Sequence, residues 1–285
     1  MNFLKSVYVM AYITAALAIS VYAVMQLSGG GNVLAWSGVL LANAPFMVRL
    51  SWIMIMKDTA RTSARFPLFI GLGATGTALS LYAGMNGAPL LAFDLALVGF
   101  VGFFLYSFWY SSFAGRGSDM LKPGQTLVPF TVRSVDGEKI SSTDMRGRPH
   151  ILIFFRGNWC PLCMAQIKEL AKAYQQIEAC GAKVALIAPQ PHKNTKTLAK
   201  KFDVDFDFYT DKGNKAARAL GIANSWGIPF GMQVLGYSSE TVLPTVIITD
   251  PDGKILWADE TDNYRVRPEP ETFLAVLRDN GFCPA

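Results

Sequence analysis

His150-Ile-Leu-Ile-Phe-Phe-Arg-Gly-Asn-Trp-Cys-Pro-Leu-Cys163 is the stretch on which the reading of this chain turns. It opens as a continuous apolar run, the pattern of a central strand buried on both faces. It ends in a C-x-x-C pair. Beyond it, Met164, Ile167, Leu170, Ala171 and Tyr174 recur at helical spacing. A strand that delivers a C-x-x-C into a helix puts Cys160 at the helix N-terminus. Unpaired N–H groups and the helix dipole there stabilise a thiolate. Cys163 follows one turn later, close enough to resolve a mixed disulfide. Zinc is the alternative for such a pair, but it needs two further ligands. Cys180, Cys283, His150 and His192 form no second pair of that spacing. The expectation is a redox-active dithiol, with no metal and no bound cofactor.

Working outward, Lys183–Ala188 reads as a second buried strand and Thr195–Phe202 as a helix. Phe130–Ile140 reads as a hairpin around Asp136-Gly137. Asp250-Pro-Asp-Gly253 is a turn joining strands Thr245–Thr249 and Lys254–Trp257. Pro270–Asn280 is a last helix, with Pro at its start and Gly281 past its end. This predicts an α/β domain, a central mixed sheet with helices on both faces. Asp203, Asp205 and Asp207 alternate like the start of a calcium loop. Phe208 and Asn214 stand where that loop needs Gly and Glu, so the acids read as the outer face of a short strand. His192 reads as a loop residue, His150 as the start of the central strand, and Cys180 as a buried apolar thiol.

The rest of the chain has another character. Its 285 residues are 51% hydrophobic and 16% charged, with a net charge of +5. Residues 1–116 contain only eight charged side chains, six of them basic. Four apolar runs, Ser6–Leu27, Val33–Met56, Phe66–Met85 and Leu90–Tyr110, are each long enough to cross a ~30 Å hydrocarbon core as a helix. The first is longer than a signal-peptide apolar core and reads as a retained span. The expected organisation is a four-helix transmembrane region over 1–116, a linker over 117–126 and an α/β domain over 127–285. Lys5, Lys57, Arg61, Arg65, Arg116 and Lys122 fall on one side of the bilayer, and the loops after the first and third runs carry no Lys or Arg. The positive-inside rule then puts both termini, and with them the α/β domain, in the cytoplasm, and the expected location is a bacterial inner membrane. The basic balance is thus a topology signal, and no aromatic-basic cluster points to nucleic acid. Gly71-x-Gly73-x-x-Gly76 lies inside a span, where small residues serve helix packing and not a dinucleotide. Asp94 fits an interfacial position. The spans contain no Cys or His, which argues against a thiol wire or haem across the membrane.

Trp159-Cys-Pro-Leu-Cys163, placed after a strand, resembles the thioredoxin superfamily. Leu243-Pro244-Thr245 resembles the cis-proline loop that lies against that dithiol. Pro129-Phe130, Asp136-Gly137, Gly147-Arg-Pro149, Phe155–Pro161, Gly181–Val184 and Tyr209-Thr-Asp211 resemble the alkyl hydroperoxide reductase/thiol-specific antioxidant branch, the peroxiredoxin-like redoxins. The resemblance covers roughly 123–281 and none of the membrane half. It implies a thioredoxin-like fold, Cys160 as nucleophile and Cys163 as resolving thiol, with Trp159, Pro244 and Thr245 shaping the substrate groove. Arg156 and Cys283 are auxiliary candidates, the first as an anion-stabilising cation or an exposed residue, the second as a mobile thiol or an idle one. Implied partners are the lipid bilayer, a protein disulfide or hydroperoxide substrate, and a thiol electron donor. Three departures separate this chain from peroxiredoxins: Ile153 and Gly157 replace the Pro and Thr/Ser before the peroxidatic Cys, and no Arg lies in the Ser238–Val242 approach to Pro244, where such enzymes often place one. One separates it from thioredoxins: Phe154 occupies the place of their buried acid, leaving Cys163 without an identified proton acceptor. The dithiol therefore fits disulfide exchange better than peroxide reduction.

Overall fold

The computed structural model describes residues 1–113 and 115–284. The chain forms two compact units, one of Leu4–Lys57 with Thr62–Ser112, the other of Phe113–Ala285 with Met1–Phe3 and Asp58–Arg61.

In the first unit the apolar runs form helices α1 (Asn2–Ser28), α2 (Val33–Met56), α3 (Pro67–Met85) and α4 (Leu90–Leu105). A π-helical turn, Tyr106–Tyr110, extends α4. All four are long and apolar enough to cross a membrane. The glycine motif works as a packing seam. A Cβ on Gly76 would overlap the Gly38 carbonyl oxygen, so the backbones of α2 and α3 touch there. Asn43, fully buried, donates to the carbonyls of Val39 and Leu95. Ser80 donates to the Ala35 carbonyl at 2.8 Å. Asp94 is exposed near the start of α4.

The second unit is built on a seven-stranded mixed sheet. Its strands are β1 (Thr131–Arg133), β2 (Lys139–Ser141), β3 (His150–Phe154), β4 (Lys183–Ala188), β5 (Asp207–Thr210), β8 (Thr245–Thr249) and β9 (Ile255–Asp259), in the order β2-β1-β5-β4-β3-β8-β9. β3 runs parallel to β4 and antiparallel to β8. Every residue of β3 is buried, as its unbroken apolar run requires. Burying each such Ile, Leu or Phe contributes roughly 1.5–3 kcal/mol. The hairpins at Asp136-Gly137 and Asp250–Gly253 form as predicted, the second with a bulge at Ile248/Thr249.

Helix α5 (Pro161–Lys172) starts directly after Cys160 and buries Leu162, Cys163, Met164, Ile167 and Leu170. Ala173 interrupts it, and α6 (Tyr174–Ala179) continues. α7 spans His192–Ala199, earlier than Thr195–Phe202, because the chain turns into helix directly after Pro191. His192 is thus helical, and its Nδ1 lies 3.0 Å from the Thr210 hydroxyl. A short helix α8 (Lys215–Ala219) and a two-stranded sheet, β6 (Ala223–Asn224) with β7 (Thr241–Val242), have no periodic signature long enough to predict. The last helix, α9, spans Pro270–Asp279 and packs through Phe273, Leu274 and Leu277. Asp205 and Asp207 face Lys183 Nζ at 3.7 and 3.3 Å, a surface ion-pair cluster.

Candidate active site

The dithiol sits where β3 ends and α5 begins. The connecting loop is held from several sides. Arg156 O accepts from Trp159 Nε1 and from the Thr241 hydroxyl. Asn158 N–H donates to Gln190 Oε1 at 2.7 Å, and the Tyr237 hydroxyl donates to Asn158 Oδ1. Gly157 is required here. Its φ is +135°, and a Cβ would lie 2.9 Å from the Trp159 indole. A Thr or Ser at this position conflicts with the backbone, which explains why the peroxidase-type hydroxyl is missing.

Cys160 is the N-cap of α5 and Pro161 its first residue. Both sulfurs are free thiols, and the residues are buried, with 2% of Cys160 and 0% of Cys163 exposed. Arg267, only 4% exposed, reaches them from the segment between β9 and α9. Its Nη1 and Nη2 both lie 3.4 Å from Cys163 Sγ, and Nη2 lies 3.9 Å from Cys160 Sγ. The same guanidinium donates to Gln166 Oε1 at 2.9 Å and to the Tyr264 carbonyl at 3.1 Å.

This arrangement splits the two thiols. Burial opposes ionisation of Cys163, but the Cys160 S–H and the Arg267 cation overcome it and bring the thiol down to about 5. Cys160 moves the other way. Its S–H donates to Cys163, and burial and the neighbouring anion add to the rise. For Arg267, burial alone would favour the neutral form, but the two thiols it faces hold it above its ordinary value.

Arg156 is not a solvated strand-end residue. It is 5% exposed, and its guanidinium stacks over Trp159 at 4.7 Å and Tyr264 at 5.0 Å. It also donates to the Gly227 carbonyl. Trp159 is therefore more than an apolar flank, because it locks this cation beside the dithiol. Pro244 and Thr245 line a cavity of about 10 Å³ together with Gln166, Asp259 and Arg267. No peptide bond among the described residues is cis, so Leu243-Pro244 has the ordinary trans isomer, unlike the loop it resembles. Arg116 donates to Pro244 O and to Thr245 Oγ1, each at 2.6 Å. It therefore belongs to this unit and is not a free charge flanking a span. Burial lowers it to about 10.

Cys283 is no mobile thiol, and Cys180 is no free apolar one. They form a disulfide across 103 residues. The tail turns back after α9, with Phe282 N–H on the Leu277 carbonyl, and this brings Cys283 to the end of α6. Among the described residues, no three His, Cys, Asp or Glu side chains are gathered as a metal would need.

Residues 123–258 match the AhpC/TSA family. The chloroplastic peroxiredoxin Q of Gentiana triflora is 29% identical over 120 residues, 41% of this chain and 52% of that protein. The thiol-disulfide oxidoreductase ResA of Bacillus cereus is 27% identical over 163 residues, 57% of this chain and 80% of that protein. The chain spans about half the length of the peroxiredoxin Q relatives it matches. Reduced Prx3 from Vibrio vulnificus aligns with a TM-score of 0.49 at 18% identity, over 56% of this chain and 99% of that one. The AhpC/TSA match covers residues 123–258 and so includes both cysteines of the dithiol.

Proposed function

We propose that this chain is a membrane-anchored thiol–disulfide oxidoreductase that works through Cys160 and Cys163. The observation that carries this is the pair of free thiols at the start of α5, joined by a sulfur hydrogen bond and backed by one buried cation. The Cys160 thiolate attacks one sulfur of a protein disulfide and the substrate S–S bond breaks. Cys163 then attacks Cys160 Sγ, forms the intramolecular disulfide and releases the second substrate sulfur. Two electrons pass to the substrate, and a thiol donor returns them. Cys160 is the entry point because it caps the helix, while Cys163 lies wholly inside. Pro244 and Thr245 shape the groove, with Trp159 and Arg156 at its edge. The apolar helices anchor the unit in a bacterial inner membrane, and the Lys/Arg bias favours a cytoplasmic dithiol. The test is reduction of a model protein disulfide by the full chain in detergent with thiol donors. Full activity in Cys160→Ser overturns the reading.

A second reading, a thiol peroxidase, is favoured by the AhpC/TSA match. Cys160 would reduce a hydroperoxide, become a sulfenic acid and condense with Cys163, releasing water. Gly157 weighs against it, because its backbone excludes the Thr hydroxyl. Stopped-flow oxidation of the reduced protein by hydrogen peroxide separates the two. A rate no faster than that of a free thiol removes the peroxidase.

A further inference from the structure

We propose that Arg267 is a positioning residue that stores the reduced dithiol as a monoanion centred on Cys163, so that Cys163 serves as the internal base for Cys160. This rests on the disulfide-exchange reading above and removes the need for the buried acid that Phe154 replaces, because the departing substrate sulfur takes the proton from Cys163. The geometry is unequal. Both prongs of the guanidinium reach Cys163 Sγ at 3.4 Å, and one reaches Cys160 Sγ at 3.9 Å. A planar two-pronged cation favours the anion it grips with both prongs. Gln166 and the Tyr264 carbonyl fix the fork from the sides. Elsewhere around the pair, Arg156 adds a second positive charge from the loop after β3. Arg116 and Asp259 also interact with Arg267, and Asp259, Glu260 and Asp262 face Arg116.

The proton count closes without an outside base. The resting pair carries one proton, on Cys160. As substrate approaches, that proton passes along the sulfur hydrogen bond to Cys163, and Cys160 attacks as a thiolate. The first substrate sulfur leaves as a thiolate and takes the proton from Cys163. Cys163, again an anion beside Arg267, breaks the mixed disulfide. The products are the Cys160–Cys163 disulfide, one substrate thiol and one substrate thiolate, with charge and electrons balanced.

The test is thiolate absorbance of the reduced full chain against pH. Wild type and Cys160→Ser should show a low-pH step that Cys163→Ser lacks. Arg267→Gln should raise that step by about one to three pH units, the usual effect of losing an adjacent opposite charge. Should Arg267→Gln not fold, Arg267→Lys takes its place, and loss of the two-pronged grip raises the step by less. A low-pH step that survives in Cys163→Ser, or that is unmoved in the Arg267 variants, overturns the proposal. Protein-disulfide reduction is read alongside. A chain that loses activity in Cys160→Ser but carries its low-pH step on Cys160 keeps the oxidoreductase reading and loses this one. An inactive wild type with its step on Cys163 does the reverse.

Discussion

In the four-helix unit the buried polar side chains are Ser6, Asn43, Ser80, Ser107 and Ser111, all short and uncharged. In the dithiol unit they include three guanidinium groups, Arg156, Arg265 and Arg267. A span in lipid satisfies its polar groups within the helix bundle, and a neutral side chain that bonds a nearby carbonyl is the cheapest way. A buried cation is costly anywhere unless anions, carbonyls or ring faces surround it. The second unit provides all three, and one of its buried cations, Arg267, reaches both sulfurs. The contrast teaches where the chain tolerates electrostatic cost, which is also where its chemistry lies.

The sharpest way to break that contrast is Cys160→Ser, expected to drop protein-disulfide reduction to the uncatalysed background. Retained turnover would mean that the buried cations serve structure alone. Next in size is Cys180→Ser. Opening a native disulfide costs about 2–5 kcal/mol, so unfolding of the dithiol unit, followed by tryptophan fluorescence, should shift to markedly lower temperature. Gly157→Thr restores the peroxidase-type hydroxyl but forces a β-branched residue to positive φ. The expected cost is about 1–3 kcal/mol, with no gain in the rate of peroxide oxidation.

A subtler effect concerns pH. Cys163 ionises at about 5 when folded and at about 8.5 in an unfolded chain. Between those values the unfolded chain binds the extra proton, so stability rises with pH. The contribution is full above the unfolded value and is lost as pH falls through about 5. The raised Cys160 gives the opposite sign, above its ordinary range. The melting temperature of the reduced protein should therefore climb from pH 5 toward 8, and Arg267→Gln should flatten the climb. The smallest effect belongs to Asn43→Leu, worth about 0.6 kcal/mol on average for such interhelical bonds. It should leave disulfide exchange unchanged, and a change in exchange rate would show that the two units are not energetically separate.

Much of this was legible in the chain because it is local. The four long helices follow from uninterrupted apolar length, β3 from its apolar run, and the place of Cys160 from the strand-to-helix switch at Pro161. The packing role of Gly76 follows from its setting within one of those apolar runs. Arg267 was not legible. It lies 104 positions from Cys163, in a polar segment with no helical or strand period, and only the return of the chain after β9 brings it to the sulfurs. An Arg-Val-Arg run just before a helix-opening Pro was the one local hint, and exposed residues produce the same pattern. The partners of Arg116 were hidden in the same way, because the Pro244 carbonyl and the Thr245 hydroxyl lie far from it in the chain. The Cys180–Cys283 pairing was hidden by 103 residues of separation.

That cystine also acts as a compartment gauge. A glutathione-buffered cytoplasm keeps most protein thiols reduced, whereas the far side of a bacterial inner membrane preserves such bonds. The Lys/Arg bias and the cystine therefore pull the dithiol unit toward opposite faces of the membrane. Rapid alkylation of intact cells reads the outcome at one bond. Two alkylated thiols at Cys180 and Cys283 assign the unit to the cytoplasm. An intact bridge assigns it to the oxidising side, where its electrons must be supplied across the bilayer.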